Sequence, residues 1–313
     1  MKHLITFLVL SLFYFLSCST DVQKNQVPNE NSEEIDPELL QNEKSLLWKI
    51  SGENMPTSYM YGTMHMIDPE YYNFTDNMRN KIGASEAIIM EVGGMPNPLE
   101  AMAMMSLDSG DVRDYFTPDQ MKTVVEFFDK KMDTDPKSFY QLYGNMKPFF
   151  IMQSISQKHF SDDAQSYDME IMSIAAQKDI PLVGLETVTE QLSFFDEIPK
   201  EDMAAMIISS IENFDKEDKE MKKMMKIYAS EKVNKLIPLI NKQSPEFMEY
   251  EDVFLTNRNK NWIPKLMTEM KDKKCFMAVG AAHLFGDNGL IELLQSEGLQ
   301  VEAVATTWPP SED

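Results

Sequence analysis

The sequence predicts an α/β fold: a central, mostly parallel sheet flanked by helices, with a large helical insertion. Four short apolar runs, Ser58 to Tyr61, Ala87 to Met90, Ile180 to Val183 and Cys275 to Val279, are rich in β-branched or large apolar residues and stop at turn signals. The segments between them repeat apolar residues at helical spacing. Two of the runs continue into one shared frame, a glycine followed three residues later by a histidine. Strands alternating with helices are joined by right-handed crossovers, which make neighbouring strands parallel.

The chain starts with Met1, Lys2 and His3, followed by the apolar run Leu4 to Leu16 and then Ser17-Cys18-Ser19. A basic start, an apolar stretch too short to span a bilayer and small residues at its end are expected of a secretory signal over residues 1–17. The string Phe15-Leu16-Ser17-Cys18 resembles a bacterial lipobox, with Phe15 an imperfect fit, so Cys18 is the expected lipidation site. Cys275 is the second of only two cysteines; with Cys18 lipidated there is no intramolecular disulfide, and Cys275 reads as a small apolar core residue. Residues 18–44 are rich in Asn, Gln, Glu and Ser and bury too little surface to offset their ordering entropy, so a lipid-anchored tether is expected. The α/β domain is expected over 45–308, with a tail at 309–313. The expected location is therefore the bacterial cell envelope, in the outer membrane or facing the periplasm. A formal net charge of -22 repels nucleic acid and anionic headgroups. No nucleic-acid partner is expected, and membrane contact is expected through the lipid alone.

Within the domain, Thr117-Pro118-Asp119-Gln120 supplies a capping box with proline at the first helical position, and Met121, Val124, Val125 and Phe128 follow on one face. Similar stripes occupy Phe139 to Ile155, Met169 to Ala176, Met203 to Ile211, Met221 to Tyr228 and Phe254 to Met270. The 26 methionines lie mostly on these stripes, where flexible thioethers fill irregular core gaps. Asp215 to Lys223 mixes both charges and reads as a solvated helix face.

The residues able to do chemistry collect at strand ends. His65 follows Tyr59-Met60-Tyr61-Gly62-Thr63-Met64, and His283 follows Met277-Ala278-Val279-Gly280-Ala281-Ala282. The other two runs lead into carboxylates, Glu91 after Ile88-Ile89-Met90 and Glu186 after Leu182-Val183-Gly184-Leu185. Ligands bind at the C-terminal strand edge of open α/β sheets, because loops and helix N-termini converge there. Singly, each residue is more often a satisfied polar group, and Glu186 could simply cap the next helix. Together, imidazoles and carboxylates at the ends of apolar strands need a partner, and a divalent metal is an economical one. Mixed nitrogen and oxygen donors suit manganese, iron, cobalt or zinc better than calcium. The sequence has no His-Glu-x-x-His, Gly-x-Ser-x-Gly or P-loop motif. Cys275, inside a strand, is a poor nucleophile, and His159, outside the shared frame, is expected at the surface or a helix end.

Taken in order, Tyr61-Gly62-Thr63-Met64-His65, Ile89-Met90-Glu91, Tyr167-Asp168, Gly184-Leu185-Glu186-Thr187 with Gln191, Arg258-Asn259, and Val279-Gly280-Ala281-Ala282-His283-Leu284 with Gly286 and Gly289 resemble the TraB/GumN family. That family includes the pheromone-shutdown proteins and is related to the Tiki proteases. The resemblance runs from Leu47-Trp48-Lys49-Ile50 to the Gly298 to Val304 strand region. It implies two pseudo-repeated halves whose paired Gly-x-x-His motifs and a glutamate form a metal-dependent hydrolase site. In the Tiki branch the activity is proteolysis of extracellular peptides with manganese or cobalt. Arg258, which on composition alone reads as an ion-pair partner, becomes by this resemblance a site arginine that orients a glutamate or stabilises an oxyanion. Asp68 and the methionine load depart from the family's pattern, and Asp68 reads as a turn residue before Pro69.

The expected function is thus an envelope-anchored metal-dependent hydrolase, a peptidase on extracytoplasmic peptides. His65, Glu91 and His283 hold manganese or cobalt, with iron or zinc as alternatives. Glu186 is a further ligand or the base, and Arg258 steadies the transition state. The expected partner is a peptide or small-molecule substrate. The alternatives are a lipoprotein that binds haem, metal or a peptide without turnover, and a scaffold in which these residues only brace the sheet edge.

Overall fold

The computed structural model describes residues 45–94, 96–232, 235–236, 239 and 250–304. The expected leader, Cys18, the tether, the last residues of the expected domain and the tail lie outside the described residues. Six strands, β1 (Leu47–Ser51), β2 (Ser58–Thr63), β3 (Ala87–Val92), β4 (Leu182–Glu186), β5 (Cys275–Gly280) and β6 (Gln300–Ala303), form one sheet in the order β4-β3-β5-β2-β1-β6. The pairs β3–β4, β3–β5 and β2–β5 are parallel, while β1 is antiparallel to both β2 and β6. The predicted α/β class with a mostly parallel sheet is therefore what the chain forms.

All four apolar runs are strands of the parallel part. β4 lies further along than the run that predicted it, starting at Leu182; Pro181 just before it lacks an N–H, and its carbonyl accepts from Ile88 N at 3.0 Å. The antiparallel edge carries no such run. β1 alternates, with Lys49 turned outward onto Glu302 at 2.9 Å, and β6 buries only Val301.

Among the described residues, eleven helices flank the sheet. Helix α1 (Asp76–Gly83) links β2 to β3, and the insertion between β3 and β4 holds α2 (Pro98–Met105), α3 (Pro118–Lys131), α4 (Pro136–Tyr143), α5 (Phe149–Gln157) and α6 (Tyr167–Gln177). Between β4 and β5 come α7 (Val188–Asp196), α8 (Lys200–Glu212), α9 (Phe214–Ala229) and α10 (Asn257–Met270), and α11 (Leu290–Ser296) follows β5. The capping box forms as read: Thr117 Oγ1 accepts from Gln120 N at 3.2 Å and Thr117 N donates to Gln120 Oε1 at 2.9 Å. The single stripe over Phe139 to Ile155 is two helices, because the chain turns between Gly144 and Pro148, where Lys147 N donates to Met105 O at 2.9 Å.

Side chains alternate across the sheet with period two. Ile88, Met90, Phe276 and Ala278 pack against α1, α6 and α9 through Met78, Ile82, Ile171, Met221 and Met225. Ala87, Ile89, Met277 and Val279 face Trp262 and Leu266 of α10 and Leu290 and Leu294 of α11. The inserted helices, with α8, build a further core around Phe128, Phe139, Phe149, Phe150 and Ile207. Many methionines, Met78, Met90, Met221 and Met225 among them, are core residues. No described helix is long and apolar enough to cross a membrane.

Two residues outside the strand ends differ in character. His159 does follow the end of α5, but it is buried, not at the surface: its ring stacks on Phe214 at 4.3 Å and its nitrogens lie 3.6 and 3.8 Å from Glu217 and Asp218. The mixed-charge run on α9 is thus solvated only in part, since Glu217 turns inward. Asp68 is a turn residue whose Oδ1 accepts from Ser161 N at 2.8 Å and Ser161 Oγ at 3.0 Å.

The chain just past β3 approaches the middle of β4 so closely that a Cβ added at Gly93 would meet Gly184 N at 2.5 Å, and one at Gly184 would meet Gly93 N in return. Gly184→Ala is expected to lower the unfolding free energy by about 1–3 kcal/mol through this forced separation. An unchanged urea midpoint would show that the strands can spread without loss.

Candidate functional site

Because β2, β3, β4 and β5 run in one direction, their C-terminal ends share one edge of the sheet. His65 comes just after β2, Glu91 is the penultimate residue of β3, Glu186 ends β4, and His283 closes the 3-10 turn Ala281–His283 that follows β5. Arg258 enters from the first turn of α10, and all five side chains are buried. The five residues singled out in the sequence are thereby brought to the same edge.

Gly280 forms the floor. A Cβ built there would lie 3.3 Å from Glu91 Oε1, 3.7 Å from His65 Nε2 and 3.7 Å from His283 Cδ2, so only glycine leaves this space open. Gly280 N also donates to Glu91 Oε1 at 2.7 Å, which fixes that carboxylate from the main chain.

Arg258 ties the edge together. Its Nε donates to Glu186 Oε2 at 3.2 Å, and Nη2 donates to Glu91 Oε2 at 2.7 Å and also to Glu186 Oε1. Nη1 donates to Phe254 O at 3.0 Å and to His283 Nε2 at 3.2 Å. Every N–H of the guanidinium fork thus has an acceptor. Phe254 belongs to a π-helical turn, Asp252–Thr256, leading into α10. Trp262, one turn beyond Arg258, lies under the guanidinium at 4.8 Å and donates Nε1 to Glu186 Oε2 at 3.2 Å.

Each histidine is oriented through Nδ1. Asn259 Nδ2 donates to the carbonyls of His283 and Asn288, at 3.2 and 2.8 Å, so its Oδ1 is the acceptor for His283 Nδ1–H at 2.6 Å. His283 therefore keeps its lone pair on Nε2, where Arg258 donates. His65 Nδ1 donates to Asp168 Oδ2 at 2.9 Å, and Thr63 Oγ1 holds the other carboxylate oxygen at 3.2 Å. This leaves His65 Nε2 facing the Gly280 space, in the carboxylate–histidine arrangement that orients metal-binding imidazoles.

The electrostatics separate the two rings. Burial, then the Arg258 charge, hold the pKa of His283 well below its ordinary value. Burial would also lower His65, but the Asp168 carboxylate more than offsets it and the net shift is upward. Burial pushes the Glu186 carboxyl up against the opposing pull of Arg258.

Nitrogen and carboxylate donors converging on the Gly280 space fit a divalent cation in chemical type. The guanidinium is the group that fits less well, since it engages Glu91 and the His283 lone pair. Among the described residues no group of three or more His, Cys, Asp or Glu side chains stands in an arrangement ready to hold a metal ion.

Asp168, Asn259 and Trp262 received no role from the sequence, and the floor residue Gly280 entered only as the glycine of a Gly-x-x-His frame. Asn259 and Trp262 had a signal, being one and four residues beyond Arg258 on a helix, where Trp262 shares its face. Asp168 had none beyond its place in the Tyr167-Asp168 pair. The model of the family described as TraB/PrgY/gumN family matches residues 46–303. No curated protein and no solved structure matches the chain.

Two titrations check these environments. Asp168→Asn removes the main raising group and leaves burial and Arg258 against the weaker pull of Glu91, so the His65 pKa is expected to fall below its ordinary value near 6.5, followed by ring-proton NMR. For His283 the folded pKa lies below the unfolded one, so the unfolded chain binds the extra proton and stability is lost as pH falls through about 6.5. His283→Gln is expected to remove this loss, flattening the stability profile between about pH 5 and 7 by up to ~1.4 kcal/mol per pH unit. Parallel wild-type and variant profiles would refute the neutral assignment.

Proposed function

The chain belongs to the TraB/PrgY/gumN family, and on that premise we propose that it is a divalent-metal-dependent hydrolase, a peptidase acting on extracytoplasmic peptides and held at the cell envelope by a lipid on Cys18. The observation that carries this reading is the convergence of His65 Nε2, Glu91 Oε1 and the His283 ring on the space over Gly280. Charge supports it. Arg258 balances one of the two carboxylates it touches, and the cluster retains a buried negative charge that a cation would relieve.

His65 through Nε2, Glu91 through Oε1 and His283 through Nε2 would hold the ion, and the donor types admit manganese, cobalt, iron or zinc. A bound divalent ion supplies hydroxide at neutral pH by lowering the pKa of its water toward about 7. The chain's own residues position the rest. Asp168 and Asn259 fix the two imidazoles, and Glu186 with Trp262 anchors the guanidinium, whose positive charge stands beside the reaction space to meet charge developing on a carbonyl oxygen. Glu186 has both oxygens engaged by Arg258 and Trp262, so it acts here as the anchor of Arg258.

The second reading is a lipoprotein that binds haem, metal or a peptide without turnover. It is favoured by one observation, the saturation of Arg258 by acceptors of the protein itself.

The deciding experiment compares the purified protein with its His65→Ala, His283→Ala double variant, by elemental analysis and by cleavage of a peptide library. Stoichiometric metal in the wild type, absent from the folded variant, and cleavage abolished by a chelator and restored by manganese or cobalt, are expected. No metal in either protein even with excess ion would sink the hydrolase. A Soret band on adding haem, without cleavage, would establish the binding role.

A further inference from the structure

The metal-dependent reading sets two cations against one lone pair. His283 carries its proton on Nδ1, held there by Asn259, and its single remaining lone pair, on Nε2, accepts from Arg258 Nη1 at 3.2 Å. That lone pair cannot serve the guanidinium and a metal ion together. The two positive groups would also repel one another in a buried setting, where charge interactions are poorly screened.

Arg258 is not held uniformly. Nε and Nη2 are fastened by Glu186 and Glu91, three contacts to carboxylates, whereas Nη1 donates to a carbonyl and to the neutral imidazole. Hydrogen bonds to charged acceptors are the stronger ones. The contact to His283 is therefore the one that yields most easily, by a tilt about the axis that Glu186 defines. Once it yields, the guanidinium fork has one N–H without an acceptor beside the reaction space.

Resting on the metal-dependent reading, we infer that binding of a divalent cation displaces Arg258 Nη1 from His283 Nε2 and so releases one guanidinium donor for the substrate's carbonyl oxygen. Arg258 is then a competitor of the ion in the empty site and an oxyanion donor in the filled one. The saturation that favours a non-catalytic protein belongs to the metal-free state alone. The displacement is self-contained, since it leaves the Glu186 and Glu91 contacts in place and breaks no covalent bond.

Trp262 reports on it, because the indole lies against the guanidinium and shares Glu186 Oε2 with Arg258 Nε. The experiment titrates the full-length protein with Zn2+, which does not quench fluorescence. It measures affinity by competition with a chromophoric chelator and Trp262 emission in a Trp48→Phe, Trp308→Phe background. Wild-type emission is expected to change with the same midpoint as binding, and Arg258→Met is expected to bind Zn2+ about ten-fold tighter or more. Zn2+ binding by Arg258→Met and not by the wild type would be the extreme form of the competition and also support it. Should Arg258→Met fail to fold, Arg258→Lys keeps a charge for Glu186 but loses the fork, and a smaller gain in affinity is expected; the wild-type emission change requires neither variant.

Zn2+ binding with unchanged Trp262 emission, and an Arg258→Met affinity equal to or weaker than wild type, would overturn the inference while leaving the hydrolase reading intact. Failure of both proteins to bind Zn2+ would overturn the hydrolase reading, and the inference with it.

Discussion

The structure of the strand edge depends on one buried cation. Arg258 is 1 % exposed, and desolvating a guanidinium costs several kcal/mol unless carboxylates and carbonyls replace the lost water. Glu91, Glu186, Phe254 O and His283 do so, which draws β3, β4, α10 and the turn after β5 onto a common point. Removing the cation leaves two carboxylates facing each other in a dry space, and removing either carboxylate leaves the cation short of acceptors. These elements therefore hold their relative positions through one charge network as well as through the apolar packing beneath it.

Around that network the fold supplies rigid supports. His65 is braced by Asp168 from the insertion, His283 by Asn259 from the helix that also carries Arg258, and Glu91 by the main chain of Gly280. The supports come from three separate parts of the chain. Each donor thus has its own support, while Arg258 ties two of them together, Nη2 holding Glu91 and Nη1 holding His283.

The parallel half of the fold was legible because buried parallel strands are apolar on both faces and stand out as runs. The antiparallel edge was not, because β1 and β6 present charged residues such as Lys49 and Glu302 to solvent and have no run to detect. The candidate site residues were legible for a related reason: a histidine or glutamate directly after an apolar strand is conspicuous. Their supports were not, since Asp168 sits on an ordinary helix far along the chain and its contact with His65 exists only after folding. His159 misled in the opposite direction. Its neighbour Lys158 suggests surface, but Phe214 and Glu217 of α9 close over it.

The strand order β4-β3-β5-β2-β1-β6 also decides when the site comes into being. β5 lies between β2 and β3, which are therefore joined into one sheet only when a late stretch of the chain arrives, and β6 seals the far edge later still. A chain emerging from the ribosome carries His65 and Glu91 early but has neither Arg258 to balance the Glu91 carboxylate nor Gly280 and His283 to complete the edge. Contacts so distant in sequence form slowly, after their loop-closure entropy has been overcome. The centre is complete only once β5 and the turn that carries His283 have joined the sheet, so its maturation is tied to synthesis of the chain through that turn.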